Sequence, residues 1–141
     1  MKHEFELTVR STDVDMIGHV NHAKYLEYME WARFEWMRGL GLTIEEMNRR
    51  RLMPVVVHVA VNYRKELRMD ERVRVVSEPA RLGNKSVVIA QRLYNSTAEL
   101  VCEAEITSVV IDAVKRKAAP LPPEFQELFE TVKLTNEGLS T

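Results

Sequence analysis

The chain has 141 residues, 20 basic and 21 acidic side chains, and a formal net charge of −1. This length predicts one domain spanning residues 1–141, and the balanced charge argues against a nucleic-acid-binding protein, which normally carries a basic excess. A single cysteine excludes an intrachain disulfide. No stretch reaches the ~20 apolar residues that cross a membrane and the first residues lack a signal-peptide pattern, so a cytoplasmic protein is expected.

The first half of the chain predicts one strand and one long helix. Apolar and polar residues alternate over residues 3–10, which is typical of a half-buried strand. A polar loop follows over residues 11–20. Residues 21–38 predict a helix that begins at Asn21, a good N-cap, and stops at Gly39. Apolar side chains surround most of this helix, which indicates that it lies in a core.

The second half predicts mainly strands. A short helix over residues 43–51 comes first, with Thr43 and Glu46 as a possible capping box. Alternation then begins at Met53 and places Val55, Val57, Val59, Val61 and Tyr63 on one face of a strand. Three more alternating runs cover residues 71–81, 84–95 and 99–112, and a short helix begins near Pro122.

The order of these elements is a strand, a long helix, and four strands read as a meander. Strands clustered after one helix predict an α+β fold, with a five-stranded antiparallel sheet wrapped around the central helix. Such a sheet keeps one face uncovered. Pairing of its edge or face with a second subunit is therefore expected.

The loop before the helix carries the candidate chemistry. Asp13 and Asp15 lie two residues apart in a segment predicted to be extended, so their side chains are expected to point the same way. The first turn of the helix presents unpaired N–H groups and a partial positive charge, which favours a developing oxyanion. A carboxylate beside the first turn of this helix, together with its free N–H groups, is the combination that acyl-transfer chemistry needs. Local sequence alone favours a simpler explanation, in which the same residues are turn and capping residues.

A metal site at His19 and His22 with either acid is the weaker alternative, because no cysteine or third histidine lies nearby in the sequence. Cys102 falls among apolar residues of a predicted strand. It is therefore interpreted as a core residue and not as a nucleophile.

The stretch DVDMIGHVNHAKYLEYMEWAR, residues 13–33, resembles the signature of the 4-hydroxybenzoyl-CoA thioesterase-like family of hotdog-fold acyl-CoA thioesterases. The resemblance continues in VNYRKELRMDERVRV (61–75), RLGNKSVVIAQRLYN (81–95) and ITSVVIDAVKRKAAPLP (106–122). It implies a hotdog fold and a homo-oligomer, either a dimer or a homotetramer built as a dimer of dimers, with active sites at subunit interfaces. It implies no metal and no dissociable cofactor.

The resemblance also implies hydrolysis of an acyl-CoA thioester to a carboxylic acid and free coenzyme A. Asp15 takes the catalytic role, as a nucleophile on the carbonyl or as the base for water, and the main-chain N–H at about His22 polarises the carbonyl. The residues implied for substrate binding are Gly18, His19, Asn21 and Tyr25, together with Lys85, Ser86, Lys115 and Arg116 for the coenzyme A phosphates.

One departure from the family bears on the substrate. Hydroxybenzoyl-specific members typically have proline after the catalytic acid, whereas Met16 stands here. This favours a short- to medium-chain or otherwise unassigned acyl group, carried by coenzyme A or by acyl carrier protein. Two other functions stay open. One is a hotdog dehydratase using His19 or His22 with Glu27 or Glu30, and the other is a non-catalytic acyl-CoA-binding or lipid-binding module that does not depend on Asp15.

Overall fold

The alternating segments form one antiparallel sheet in the computed structural model, which describes residues 2–129. Two helices precede most of the strands, and a third, α3, is described over residues 123–129. The remaining elements in chain order are β1 (His3–Thr8), α1 (His22–Gly39), α2 (Ile44–Arg49), β2 (Leu52–Tyr63), β3 (Arg72–Leu82), β4 (Ser86–Tyr94), β5 (Leu100–Asp112) and β6 (Lys117–Ala119). Residues 135–141, which we expect to be frayed because they follow the last predicted helix, lie outside the described residues.

The order of strands in the sheet is β1-β3-β4-β5-β2, and β6 pairs with the end of β5. The five-stranded antiparallel sheet is therefore confirmed, with a short sixth strand added. The prediction of a four-strand meander is wrong for β2. Both sides of β3 are occupied by β1 and β4, so β2 pairs with β5 at the opposite edge. Periodicity identifies a strand but does not identify its neighbour.

A bulge in β2 overturns two of the five positions predicted to share one face. Val56 pairs with Ser108 and His58 pairs with Thr107, so Val57 is an extra residue without a partner. The extra residue shifts the alternation by one. Val59, Val61 and Tyr63 do share the helix-side face, but the residues that join them from the first half of β2 are Pro54 and Val56, and not Val55 and Val57.

The central helix α1 packs its buried side against the sheet. Asn21 caps it as predicted, since its side-chain oxygen accepts a 2.9 Å hydrogen bond from the N–H of Ala23. The buried side chains of α1 are Tyr25, Tyr28, Met29, Ala32 and Trp36. Trp31 and Phe34 are 43% and 42% exposed. The apolar surface of α1 thus exceeds what one chain covers.

The outer face and the free edge of the sheet differ in polarity. The outer face carries cross-strand ion pairs, including those between Arg74 and Glu4 and between Arg92 and Glu78. The β2 edge instead exposes large apolar side chains, namely Met53, Val56, Val57, Val59 and Tyr63. Within residues 2–129, no helix is both long enough and apolar enough to cross a membrane.

Candidate active site

A cleft of about 470 Å³ lies where the loop after β1, the first turn of α1 and the end of β2 meet. It is lined by Asp15, His19, Val20, Asn21, His22, Tyr25, Tyr63, Arg64, Lys65 and Glu66. The structure therefore brings together five residues that the sequence proposed for the site, all from the loop and the helix start. Gly18, a sixth, lies in the same loop with φ +87°, a conformation that favours glycine.

The carboxylate of Asp15 is held by the backbone of its own loop. Its Oδ1 accepts hydrogen bonds from the N–H of Ile17 at 2.9 Å and from the N–H of His19 at 3.1 Å. These bonds, that of His19 first, lower the pKa of Asp15 below its usual value. Both bonds engage Oδ1, so Oδ2 stays available to water or substrate. At neutral pH the cleft thus presents an ionised carboxylate.

Asp13 has a different environment, and the expectation that both acids point the same way is wrong. Residues Ser11–Asp13 form a 3-10 turn, which breaks the extended period of two. The Asp13 side chain turns inward and is buried, where Oδ2 accepts hydrogen bonds from the Tyr28 hydroxyl at 2.8 Å and from the N–H of Arg10 at 3.1 Å. Asp13 thus anchors the loop, and Asp15 alone lines the cleft.

The start of α1 supplies donors beside Asp15. Asn21 caps the N–H of Ala23 with its side chain and the N–H of Lys24 with its carbonyl, and neither bond uses the N–H of His22. The helix dipole places a partial charge of about +0.5 at this end. His22 itself lines the cleft. Its imidazole stacks on Tyr63 with 4.6 Å between ring centroids.

Tyr25 holds the opposite wall of the cleft. Its hydroxyl donates to the carbonyl of Lys65 at 3.0 Å and accepts from the N–H of Leu67 at 3.0 Å. Burial raises the pKa of this hydroxyl, which is already committed to these two bonds. Tyr25 thus fixes the segment after β2 and contributes to the lining mainly through its ring.

The wall residues Tyr63, Arg64, Lys65 and Glu66 were not predicted for the site. The only available signal was a change from alternating apolar residues to the polar run RKE at the end of β2. Polar residues just beyond a strand often line sites. Nothing in the sequence indicates that this run meets the loop, where Nε2 of His19 lies 3.3 Å from Oε2 of Glu66.

The four residues predicted to bind phosphates lie far from this cleft in the same chain. Lys85 and Ser86 are in and after the β3–β4 turn, and Lys115 and Arg116 are in the turn between β5 and β6. Tyr63 pairs with Cys102, near the opposite end of β5. The length of β5 from Cys102 to Asp112 separates the two regions by about 33 Å. One chain does not join them into one site.

The dehydratase alternative needs Glu27 or Glu30, and neither glutamate lines the cleft that holds His19 and His22. Glu27 forms a 2.9 Å ion pair with Lys24, and Glu30 lines a different cavity. Among residues 2–129, no cluster of three or more His, Cys, Asp or Glu side chains is arranged to hold a metal ion. Cys102 is fully buried, and burial raises the pKa of its thiol to about 12.

A sequence profile of the thioesterase-like superfamily matches residues 9–129. The Escherichia coli (strain K12) protein named long-chain acyl-CoA thioesterase FadM is 30% identical over 126 residues, which cover 89% of this chain and 95% of that protein. The acyl-CoA thioester hydrolase YbgC of E. coli O6:H1 is 32% identical over 110 residues, which cover 78% of this chain and 82% of that protein.

A solved structure shares the fold of this chain. The DHNA-CoA thioesterase from Staphylococcus aureus superposes with a TM-score of 0.87 over 97% of this chain and 95% of that chain. Its 24% sequence identity makes this a likeness of fold. Because the superfamily profile matches most of the chain, and because its antiparallel sheet curves around one helix, the chain belongs to the thioesterase-like superfamily of hotdog-fold proteins.

Proposed function

We propose that the protein is an acyl-CoA thioesterase with Asp15 as its catalytic carboxylate. The observation that carries this proposal is an ionised Asp15, fixed by two backbone N–H groups, beside the start of α1. The relatives named acyl-CoA thioesterase and acyl-CoA thioester hydrolase support the same reaction. The substrate is a thioester of coenzyme A, and the products are a carboxylic acid and the free thiol.

The reaction needs a nucleophile at the thioester carbon and a donor at its oxygen. Asp15 either attacks the carbonyl carbon, giving a mixed anhydride that water then hydrolyses, or takes a proton from water as that water attacks. In both routes the carbonyl oxygen gains negative charge, which the N–H of His22 and the helix dipole stabilise. The C–S bond breaks as the carbonyl re-forms, which in the first route yields the anhydride. Coenzyme A leaves as thiolate and takes its proton from water in the first route and from protonated Asp15 in the second.

The assembly in this proposal is a homodimer formed by antiparallel pairing of two β2 edges. An edge strand of 12 residues with exposed valines is an unpaired template for another strand. The charged side chains of the outer face already form ion pairs with each other within the chain. This favours a subunit contact at the edge of the sheet over one at its outer face. Antiparallel pairing about a two-fold axis sets the Tyr63 end of one β2 beside the Leu52 end of the other.

This arrangement gives the distant basic residues a role. Leu52 pairs with Asp112 at the end of β5, close to the turn that carries Lys115 and Arg116. Each cleft in the dimer therefore lies beside that end of the partner's sheet. We assign Lys85, Ser86, Lys115 and Arg116 of one subunit to the coenzyme A phosphates of a substrate whose thioester lies at the other subunit's Asp15.

Thiol release from a panel of aliphatic and aromatic acyl-CoAs tests the proposal, with wild type and Asp15→Asn compared directly. The amide keeps the size of the side chain but removes the attacking or basic oxygen, so kcat is expected to fall at least 100-fold while acyl-CoA binding persists. Glu66→Gln is the matched control, because it neutralises another acid of the cleft and is expected to reduce kcat far less. Equal turnover by Asp15→Asn and wild type would exclude Asp15. Binding without turnover by wild type would instead indicate a non-catalytic acyl-CoA-binding protein.

A further inference from the structure

Tyr63, the last residue of β2, makes two contacts with His22, the first residue of α1. Its ring stacks on the His22 imidazole, with 4.6 Å between ring centroids and 29° between ring planes. Its hydroxyl donates a 3.3 Å hydrogen bond to the main-chain carbonyl of His22. Burial raises the pKa of this hydroxyl, so it keeps its proton and remains a donor at neutral pH. One side chain thus contacts both the side chain and the backbone of His22.

The start of α1 needs contacts of this kind. Helix ends fray, because their terminal N–H groups have no partner within the helix. Asn21 caps the N–H groups of Ala23 and Lys24, and these bonds do not engage the N–H of His22. An N–H group kept free for a substrate does not hold its own residue in place. The position of His22 therefore depends on contacts made by its other atoms.

The sheet fixes the position of Tyr63 itself. Tyr63 pairs with Cys102 of β5. Directly after it, the N–H groups of Arg64 and Lys65 both donate to the carbonyl of Val101, at 2.8 Å and 3.1 Å. Val101 and Cys102 are fully buried. The aromatic ring that contacts α1 is therefore carried by the core of the protein and not by the loop that carries the catalytic carboxylate.

Tyr25 adds a third ring to this contact. Its ring is tilted against that of Tyr63, with 5.4 Å between centroids and 62° between planes. It lies edge-on to the His22 imidazole, with 6.2 Å between centroids and 88° between planes. Aromatic pairs with these separations and tilts contribute beyond the area that they bury. The three rings join the end of β2 to the first turn of α1 along one side of the cleft.

We propose that Tyr63 is a positioning residue for the oxyanion donor of the thioesterase reaction. It acts through His22, because its hydroxyl fixes the backbone at the first turn of α1 and its ring keeps the imidazole against the wall of the cleft. The inference rests on the proposed function, in which the thioester carbonyl lies at the start of α1. A donor held in place matters most when charge develops on the carbonyl oxygen, so Tyr63 is expected to affect kcat more than KM.

Variants of Tyr63 separate its two contacts. Tyr63→Phe keeps the ring and removes the hydroxyl, so kcat is expected to fall about 3- to 10-fold while KM changes less than about twofold. Tyr63→Leu also removes the stacked ring, and kcat is expected to fall roughly 30-fold. Tyr94→Phe is the matched control, because Tyr94 contacts Arg74 through its ring and does not line the cleft, and it should leave kcat unchanged. Urea denaturation and sedimentation velocity are expected to show Tyr63→Phe as folded as wild type and in the same assembly.

Two analogues of acyl-CoA distinguish positioning from a general loss of structure. In both, a CH2 group separates the carbonyl from sulfur, so neither is hydrolysed. The plain ketone keeps a trigonal carbonyl and resembles the bound substrate, whereas its α,α-difluoro counterpart adds water or a carboxylate and becomes tetrahedral, with negative charge gathering on oxygen. Tyr63→Phe is expected to weaken binding of the difluoro ketone by about the same factor as kcat, and binding of the plain ketone by less than about twofold. Equal weakening of both analogues would show a structural role only and would overturn the proposal.

A His22→Ala background tests whether the effect passes through His22. The hydroxyl bonds to main chain, so Tyr63→Phe is expected to lower kcat by the same factor in this background as in wild type. The ring has lost its stacking partner there, so the difference between Tyr63→Phe and Tyr63→Leu is expected to shrink at least about threefold. An equal difference in both backgrounds would contradict the role of the stack. Thiol release that is unchanged in Tyr63→Phe would overturn this inference alone, whereas no thiol release by wild type would overturn the proposed function and this inference with it.

Discussion

The Tyr28 hydroxyl donates a 2.8 Å hydrogen bond to Oδ2 of Asp13, and this bond ties the loop before α1 to the second turn of that helix. Both side chains are buried. Burial alone would raise the pKa of Asp13, but the hydrogen bonds from Arg10 and Tyr28 and the charge of Arg10 outweigh it and lower that pKa. The position of Asp15, two residues later, depends on this anchor.

Replacing Asp13 with alanine is expected to destabilise the fold. The change removes both bonds to Oδ2 and leaves the Tyr28 hydroxyl buried without its acceptor, which costs about 1–3 kcal/mol of unfolding free energy. Urea denaturation measures the loss. Tyr28→Phe removes the donor alone, and the double variant should cost less than the sum of the two single changes. Strict additivity would mean that the two side chains are not coupled.

The same carboxylate predicts a pH dependence of stability. The pKa of Asp13 is lower in the folded than in the unfolded protein, so its contribution is present above the unfolded value of about 3.9 and is lost as pH falls through the folded value. Asp13→Asn should therefore reduce the slope of stability against pH below about pH 4. An identical slope in wild type and variant would contradict this assignment.

The pH dependence of turnover distinguishes Asp15 from the histidines of the cleft. The N–H groups of His19 and Ile17 lower the pKa of Asp15, so the carboxylate stays ionised down to pH values below that of an ordinary aspartate. We expect kcat/KM to stay flat from pH 7 to about 4 and to fall only below that. A histidine base would instead lose activity near about pH 6.5. Circular dichroism at each pH separates loss of fold from loss of ionised Asp15.

A buried polar network beneath α1 predicts a large stability effect. Gln91 is fully buried, accepts from Nη1 of Arg33 and donates to Oγ of Ser77 and to the carbonyl of Met29, each at 2.9 Å. Gln91→Leu removes all three bonds and leaves the Arg33 guanidinium without its amide partner, so we expect a loss of about 2–4 kcal/mol in unfolding free energy. Ser77→Ala, which removes one bond, should cost about 1 kcal/mol. Similar urea midpoints for the two variants would contradict the role of Gln91.

The single thiol is expected to be inert while the protein is folded. Cys102 is fully buried, and burial, with a smaller contribution from Glu103, raises the pKa of its thiol to about 12. Since the thiolate is the reactive form, iodoacetamide at pH 8 should leave Cys102 unmodified and turnover unchanged. The same reagent in urea should modify one thiol per chain. Rapid loss of activity in the folded protein would contradict this interpretation.

The elements and the position of most loop residues that line the cleft were predictable because their signals are local. Alternation defines strands, Asn21 caps the helix, and the motif around Asp15 occupies a continuous stretch of chain. The 3-10 turn that buries Asp13 was not predictable, because it depends on a hydroxyl 15 residues away on α1. Such a contact forms only after the helix has packed.

The residues missed at the site have a long-range origin. The segment from Tyr63 to Glu66 reaches the cleft because β2 pairs with β5 and Tyr25 then fixes the chain beyond it. The bulge at Val57 is set by register against β5, and no pattern within β2 marks it. Periodicity reports which residues are buried together, whereas these features depend on which strands become neighbours.

The last prediction concerns the exposed edge of β2. Val57 is 56% exposed at the bulge in the middle of β2, near the two-fold axis of an antiparallel pair. Val57→Lys places two like charges close together in the proposed dimer and is expected to yield monomers in sedimentation velocity. Turnover should fall in parallel, because in the proposal Asp15 and the phosphate-binding residues of one site come from different subunits.

Met69→Lys, at another exposed apolar residue away from β2, is the control and should remain dimeric. A fully active monomer would show that one chain binds and hydrolyses the substrate alone, and it would place the coenzyme A phosphates on Arg64 and Lys65 beside the cleft instead.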